Sequence, residues 1–196
     1  MLTLYYTPGT CADVVLMMAN ALNIELKIVK VDISKSTPQT ETGEDFTHIN
    51  PKGYVPALGL ENGEIISELV AICAYLSEQK PGNNLFPLTG KGLVDQLQWF
   101  NYLGTEIHKN IMPFFMRFFG VEIGNEWPAI AEANLKRRYG YINDILANQS
   151  YLTGDTLTSA DLYLFMSTLW ADKINIDLSN FTSLMTFKAL MQARED

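Results

Sequence analysis

Apolar and polar positions change rhythm partway along this chain, and the change divides it. Up to about residue 80 the apolar residues come in short runs of strand type. Leu2 to Tyr6 is the first, ended by Thr7-Pro8-Gly9-Thr10. Cys11 to Leu22 predicts a helix whose apolar face carries Val14, Val15, Met17, Met18 and Leu22. Leu26 to Val31 predicts a second strand, with Ile28, Val29 and Val31 suited to burial. Ser34 to Asp45 is polar and loop-like. Pro56–Leu60 and Glu64–Ile66 flank Glu61-Asn62-Gly63, a hairpin pattern. Ser67 is placed to cap a helix running to about Gln79. A strand–helix–strand unit needs a parallel pair and a hairpin an antiparallel one. A mixed four-stranded sheet with helices packed on it follows.

Lys80-Pro81-Gly82-Asn83-Asn84-Leu85-Phe86-Pro87 stops that pattern, because prolines and a glycine cannot continue a helix. Beyond it the period becomes helical. Leu93, Leu97, Phe100, Gly104, Ile107, Ile111, Phe114 and Phe118 form one stripe of alternating steps of four and three. Pro113 is expected to kink or divide this helix. A further helix runs from about Glu126 to Ala147, with Pro128 in its first turn. Thr158-Ser159-Ala160-Asp161 reads as a capping box opening an apolar helix through Leu162, Leu164, Phe165, Leu169 and Trp170. A last helix covers about Ser183 to Ala193. The division expected is an α/β domain over 1–80, a linker over 81–90 and an all-helical domain over 91–196.

Composition narrows the function classes. The 196 residues are 47% hydrophobic and 18% charged, an ordinary balance for a folded chain. The net charge is −8, and both halves are acidic, with no basic run beyond Lys136-Arg137-Arg138. That argues against a nucleic-acid partner. The apolar stretches are too short to cross a bilayer, and the start carries no basic segment or cleavage signal. Cys11 and Cys73 are the two cysteines, too few for a disulfide scaffold or a zinc cluster. A reducing, cytoplasmic setting without a metal is expected.

A few residues stand out as chemistry. Cys11 follows a strand and a turn and opens a helix, where unpaired N–H groups and the helix dipole favour negative charge. A cysteine there is expected to have a lowered pKa, although it could equally be a small residue filling the junction. Asp13 opposes that lowering by adding negative charge nearby. Cys73, inside Ala71-Ile72-Cys73-Ala74-Tyr75-Leu76, reads as a small core hydrophobe. Val55-Pro56, entering a strand after Gly53, suits a cis bond that leaves backbone free for an extended ligand; an ordinary trans proline at a strand start is the alternative. Ser67-Glu68 serves as a helix cap, or lets Glu68 take a ligand ammonium while helix N–H groups hold a carboxylate. Asn101, Thr105 and His108 follow i, i+4, i+7 spacing as a polar strip beside the stripe. His48 has no such company and reads as structural.

Tyr6-Thr7-Pro8-Gly9-Thr10-Cys11 resembles the first-strand motif of bacterial beta-class glutathione transferases, whose cysteine opens the first helix. Asn50-Pro51-Lys52-Gly53-Tyr54-Val55-Pro56-Ala57-Leu58 is similar to that family's cis-proline loop. Ser67-Glu68-Leu69-Val70-Ala71-Ile72 resembles the start of the helix after its hairpin. Trp99-Phe100-Asn101-Tyr102-Leu103-Gly104-Thr105-Glu106-Ile107-His108-Lys109 resembles its long-helix signature, and the Thr158–Asp161 box also occurs there. The matches run in order across nearly the whole chain.

The resemblance implies a thioredoxin-like domain, a helical C-terminal domain and a homodimer. It implies conjugation of the thiolate of glutathione, a co-substrate, to small hydrophobic electrophiles, with thiol–disulfide exchange through a mixed disulfide at Cys11 as a further possibility. By the same carry-over Val55 would bind the cysteinyl part of glutathione through its backbone. Glu68 and Leu69 would hold the γ-glutamyl end. Lys35, Asn101, Thr105 and His108 would complete the site, with Cys11 and His108 beside the thiol. Pro56, Thr158 and Asp161 would be structural. Met112, Phe115, Met116 and Phe119 could line an apolar second-substrate pocket or belong to the core. Other readings stay open: a glutathione-dependent disulfide reductase, thiol activation by Tyr5 or Tyr6, and a non-catalytic ligand-binding or regulatory protein on the same fold.

Overall fold

A computed structural model of the chain describes residues 1–194, and Phe118 through its backbone alone. The chain divides into two compact units, Met1–Leu93 and Val94–Asp196.

The first unit runs β1 (Thr3–Tyr6), α1 (Ala12–Ala21), β2 (Lys27–Asp32), β3 (Gln39–Thr40), a 3₁₀ turn at Phe46–His48, β4 (Ala57–Gly59), β5 (Ile65–Ser67) and α2 (Leu69–Glu78). The sheet order is β3-β2-β1-β4-β5. β1 pairs parallel with β2 and antiparallel with β4, and β4 pairs antiparallel with β5. The four expected strands are joined by β3, a two-residue edge strand inside the polar loop, too short to show in any apolar pattern. Its ladder partner, β2, is more exposed than the pattern implied: Val31 is buried, whereas Ile28 is exposed.

α1 and α2 pack against each other and bury Val14, Val15, Met18, Ile72, Cys73 and Leu76. Leu4, Ala57 and Leu58 of the central strands are fully buried with them. Ala12, Val31, Phe46, Val55 and Ala57 form a buried cluster, with Tyr5 and Tyr6 packed against it. Ser77, buried in α2, donates through Oγ to the Phe86 carbonyl at 2.7 Å, which fastens the Pro/Gly-rich segment under the helix.

α3 (Gly90–Tyr102) begins just before the division and gives way, within the second unit, to a π-helical stretch, Leu103–His108, and then to α4 (Lys109–Phe118). The break expected at Pro113 lies instead at this wider turn, and Pro113 sits buried inside α4. The stripe is displaced accordingly. Gln96, Trp99, Phe100, Leu103, Ile107 and Ile111 are buried, while Leu97 is exposed; the Phe118 side chain lies outside the described residues.

α5 (Glu126–Leu146), α6 (Ser159–Lys173) and α7 (Thr182–Gln192) complete the bundle. α6 is buried on nearly every face from Ser159 to Thr168, the mark of a helix at the centre of a bundle. Its start is the reciprocal capping box. Thr158 N–H and Oγ1 both donate to Asp161 Oδ2, at 2.8 and 2.7 Å, and Leu152 N–H donates to Oδ1 at 2.7 Å. Asp161 is fully buried, and that burial pushes its carboxyl up to about 6 despite these bonds. Among the described residues no helix is long and apolar enough to cross a membrane.

Candidate active site

Strand register brings three of the candidate residues to one end of the first unit's sheet. Tyr5 of β1 lies opposite Ala57 of β4, and Ala57 opposite Ser67 of β5. The end of β1, the beginning of β4 and the end of β5 are therefore neighbours. Cys11 follows the first, Val55 precedes the second and Glu68 follows the third. Cys11 is the N-cap residue of α1, and its Sγ donates to the Val55 carbonyl across 3.8 Å. The Val55-Pro56 peptide is cis, and both residues are buried. Buried Asn50 braces the loop that delivers them: its Nδ2 donates to the Tyr54 carbonyl at 2.7 Å, and its own carbonyl accepts from Gly53 N–H at 2.8 Å. Gly53 takes φ +71°, which suits glycine at that turn.

The lowered cysteine pKa expected from the helix start is reversed. Burial of the sulfur pushes the Cys11 thiol up to about 12; the charges of Asp13 and Glu68 add to that, and the backbone N–H at the helix start opposes it without prevailing. Loss of solvation thus outweighs the helix dipole at this cap. Asp13 is itself tied down. It accepts from the Tyr6 hydroxyl at 2.6 Å and from Gly9 N–H at 2.7 Å, so it also shapes the turn before Cys11. Burial and this bond both raise the Tyr6 hydroxyl pKa, so Tyr6 is a poor candidate for activating a thiol. Tyr5 is packed against the Phe46 ring at 5.6 Å.

Ser67 does not cap α2. It closes β5, and Glu68 takes the cap position with φ +76°, a left-handed conformation that a non-glycine residue adopts at a cost. Glu68 Oε1 accepts from Lys52 Nζ and, at 2.8 Å, from the Tyr54 hydroxyl; these bonds hold its carboxyl below the usual range, Lys52 contributing most. Leu69, next along, has only its backbone N–H to offer a polar ligand. Lys35 stands apart in the loop after β2, its Nζ on Gln39 Oε1 at 2.8 Å and half exposed.

The polar strip of the second unit is split by the π-helical stretch. Asn101 and Thr105 are exposed, and Thr105 Oγ1 donates back to the Asn101 carbonyl at 3.0 Å. His108 turns inward. Its Nδ1 is 2.9 Å from the Tyr163 hydroxyl and its ring is 4.5 Å from that of Trp170. Burial, helped by the Lys109 charge, holds the imidazole pKa down to about 4, so at neutral pH the ring is uncharged.

Family models described as the glutathione S-transferase N-terminal and C-terminal domains match residues 9–79 and 104–195. The glutathione S-transferase GstA of Escherichia coli O157:H7 is 30% identical over 98% of this chain and 94% of its own length. The chain belongs to the glutathione S-transferase family. Two solved relatives sharpen the placement. The bacterial beta-class glutathione S-transferase of Sphingomonas chungbukensis is 29% identical over 98% of this chain and 94% of its own, with a TM-score of 0.88. A sphingomonad glutathione S-transferase solved with glutathione is 29% identical over 96% and 92%, with a TM-score of 0.87.

For a member of this family the site holds partners that sequence reasoning passed over. Lys52 and Tyr54 lie within the quoted cis-proline loop, but nothing in their spacing shows that they converge on Glu68. Trp170, which read as part of the apolar helix α6, and its neighbour Tyr163, which the pattern did not single out, are both buried and hold His108. Met112, Phe115 and Met116 are half-buried and Phe119 is exposed; Phe115 stands edge-on to Trp170 at 6.4 Å. Cys73 is fully buried, and burial raises its thiol pKa, as suits a packing residue. Among the described residues no group of three or more His, Cys, Asp or Glu side chains is arranged to hold a metal ion.

Proposed function

We propose that glutathione lies along Val55 and the start of α2, with its sulfur beside Cys11, and that its thiolate attacks small hydrophobic electrophiles. The activity is that of the family: glutathione S-transferase chemistry, the transfer of an electrophilic carbon to the sulfur of glutathione. One observation carries the siting, the convergence of Cys11, Val55 and Glu68 on a single sheet end.

The raised Cys11 pKa sets the role. A thiol titrating near 12 stays protonated at neutral pH, so Cys11 acts as an S–H donor. Its Sγ donates to the Val55 carbonyl. With glutathione bound, the same hydrogen turns to the glutathione sulfur and stabilises it as thiolate, because a bond to the charged form favours that form. The glutathione sulfur, not Cys11, is then the nucleophile. Exchange through a Cys11 mixed disulfide needs a Cys11 thiolate, which is scarce here, so conjugation is favoured over the reductase reading. Asn101, Thr105 and His108 belong to the proposed glutathione contacts. His108, uncharged, contributes by hydrogen bonding and not by charge. The protein is further proposed to act as a homodimer in the cytoplasm.

The test measures glutathione conjugation to a generic aryl halide and reduction of a glutathione mixed disulfide, in wild type, Cys11→Ala, Cys11→Ser and His108→Ala. Conjugation should fall in Cys11→Ala and recover in part in Cys11→Ser, whose hydroxyl still donates, while disulfide reduction stays slow throughout. Fast disulfide reduction lost in both Cys11 variants would favour the reductase. Undiminished conjugation in Cys11→Ala would remove Cys11 from the mechanism.

A further inference from the structure

We propose that Lys52 is a specificity-determining residue, reading the α-carboxylate of a zwitterionic γ-glutamyl ligand while Tyr54 and Lys52 together aim Glu68 at its ammonium. The inference rests on the reading that glutathione binds at this sheet end, and deepens it.

Three observations meet at one carboxylate. Both hydrogen bonds to Glu68, from Lys52 Nζ and from the Tyr54 hydroxyl at 2.8 Å, fall on Oε1. Among the described residues Oε2 has no protein partner, so Glu68 can accept a ligand ammonium there without giving up its support. Lys52 is anchored from more than one side: Nζ also donates to Ser67 Oγ at 3.0 Å and lies 6.0 Å over the Tyr54 ring. Glu68 meanwhile keeps its left-handed backbone at φ +76° at the N-cap of α2, and its side chain does not bond back to the helix.

The charges then select the ligand. A lone cation approaching Glu68 would meet the Lys52 ammonium and be repelled. A lone anion would meet Glu68. A group carrying an ammonium and a carboxylate on one carbon satisfies both, its ammonium on Oε2 and its carboxylate toward Lys52 and the first N–H groups of α2. Lys52 and Glu68 are both about half exposed, so the contribution is screened by salt and is largest at low ionic strength.

The experiment titrates two ligands into wild type, Lys52→Met, Lys52→Arg and Tyr54→Phe by calorimetry, and measures kcat and KM with glutathione. The ligands are glutathione and 4-aminobutyryl-cysteinylglycine, which keeps the ammonium but lacks the α-carboxylate. Absence of glutathione binding in wild type would refute the underlying site and leave Lys52 with nothing to read. If wild type binds, Lys52→Met should bind glutathione roughly tenfold more weakly, the size of one charge-assisted bond, with kcat within about twofold of wild type. The decarboxylated ligand should be weakened by Lys52→Met much less than glutathione is, because it loses only the hold of Lys52 on Glu68 and is freed of repulsion by the Lys52 ammonium, and Lys52→Arg should retain most of the glutathione affinity. Tyr54→Phe should weaken both ligands equally, since it acts through Glu68. Equal glutathione affinity in Lys52→Met and wild type, or an equal loss for both ligands in Lys52→Met, would overturn the assignment.

Discussion

The state of the Cys11 sulfur is open to direct titration. The thiol is pushed from an ordinary 9.0 to about 12, chiefly by burial and then by Asp13 and Glu68. At pH 8 an ordinary cysteine is about one-tenth thiolate, whereas a thiol titrating near 12 is thiolate in about one molecule in ten thousand. Alkylation by iodoacetamide goes through the thiolate, so its scarcity slows the reaction roughly a hundredfold for equal access once the greater nucleophilicity of a less acidic thiolate is counted. Access is not equal, since Cys11 is only partly exposed, so the pH dependence is the cleaner readout. The experiment follows alkylation at Cys11 by mass spectrometry from pH 6 upward in a Cys73→Ala background. The logarithm of the rate should climb with a slope near one per pH unit through pH 10, without levelling. Asp13→Asn keeps an acceptor for Gly9 N–H while its amide N–H can donate to the Tyr6 hydroxyl oxygen; it removes the charge, and should speed alkylation by a smaller factor, roughly three- to tenfold. A plateau below pH 8 in wild type would mean that the helix start outweighs burial, and the S–H donor role would fall with it.

Other expectations follow from groups buried without solvent. Asp161→Ala leaves the N–H groups of Leu152 and Thr158 unsatisfied in the core and should cost about 2–4 kcal/mol in urea unfolding; a loss below about 0.5 kcal/mol would contradict the capping assignment. His108 is held uncharged, with its pKa lowered from 6.5 to about 4. Above pH 6.5 it makes no proton-linked demand. As pH falls from 6.5 to 4 the unfolded chain takes up a proton that the folded chain refuses, and stability is lost by at most about 3 kcal/mol. His108→Gln should flatten that part of the stability profile, and an unchanged profile would contradict it. Tyr163→Phe removes the hydroxyl beside His108 Nδ1 and should shift the imidazole titration measured by NMR; a static titration would show the contact to be incidental.

Periodicity carried most of the fold because each unit buries one kind of face. The period-two runs became β1, β2, β4 and β5, and α2 ends just before the prolines and glycine that remove helical options. What escaped was decided by packing, not pattern. β3 is two residues long and polar. The break in the long helix sits in a π-helical stretch, where Gly104 and Ile107 still read as an ordinary helical face. The candidate site divides in the same way. Cys11, Val55 and Glu68 were legible because each stands at a chain position with spare backbone groups. The direction of the Cys11 pKa was not, since desolvation depends on what surrounds the sulfur, although Asp13 two residues on already pointed against a thiolate. Lys52 and Tyr54 reach Glu68 across 16 and 14 residues of chain, a convergence that only β4 and β5 pairing creates.

The account depends on glutathione occupying the sheet end shared by Cys11, Val55 and Glu68. Calorimetric titration of reduced glutathione into the full chain and into Glu68→Gln measures this most directly. Saturable binding at one site per chain, weakened at least about fivefold by Glu68→Gln, is the predicted result. No heat of binding in wild type, or equal binding in Glu68→Gln, would contradict it.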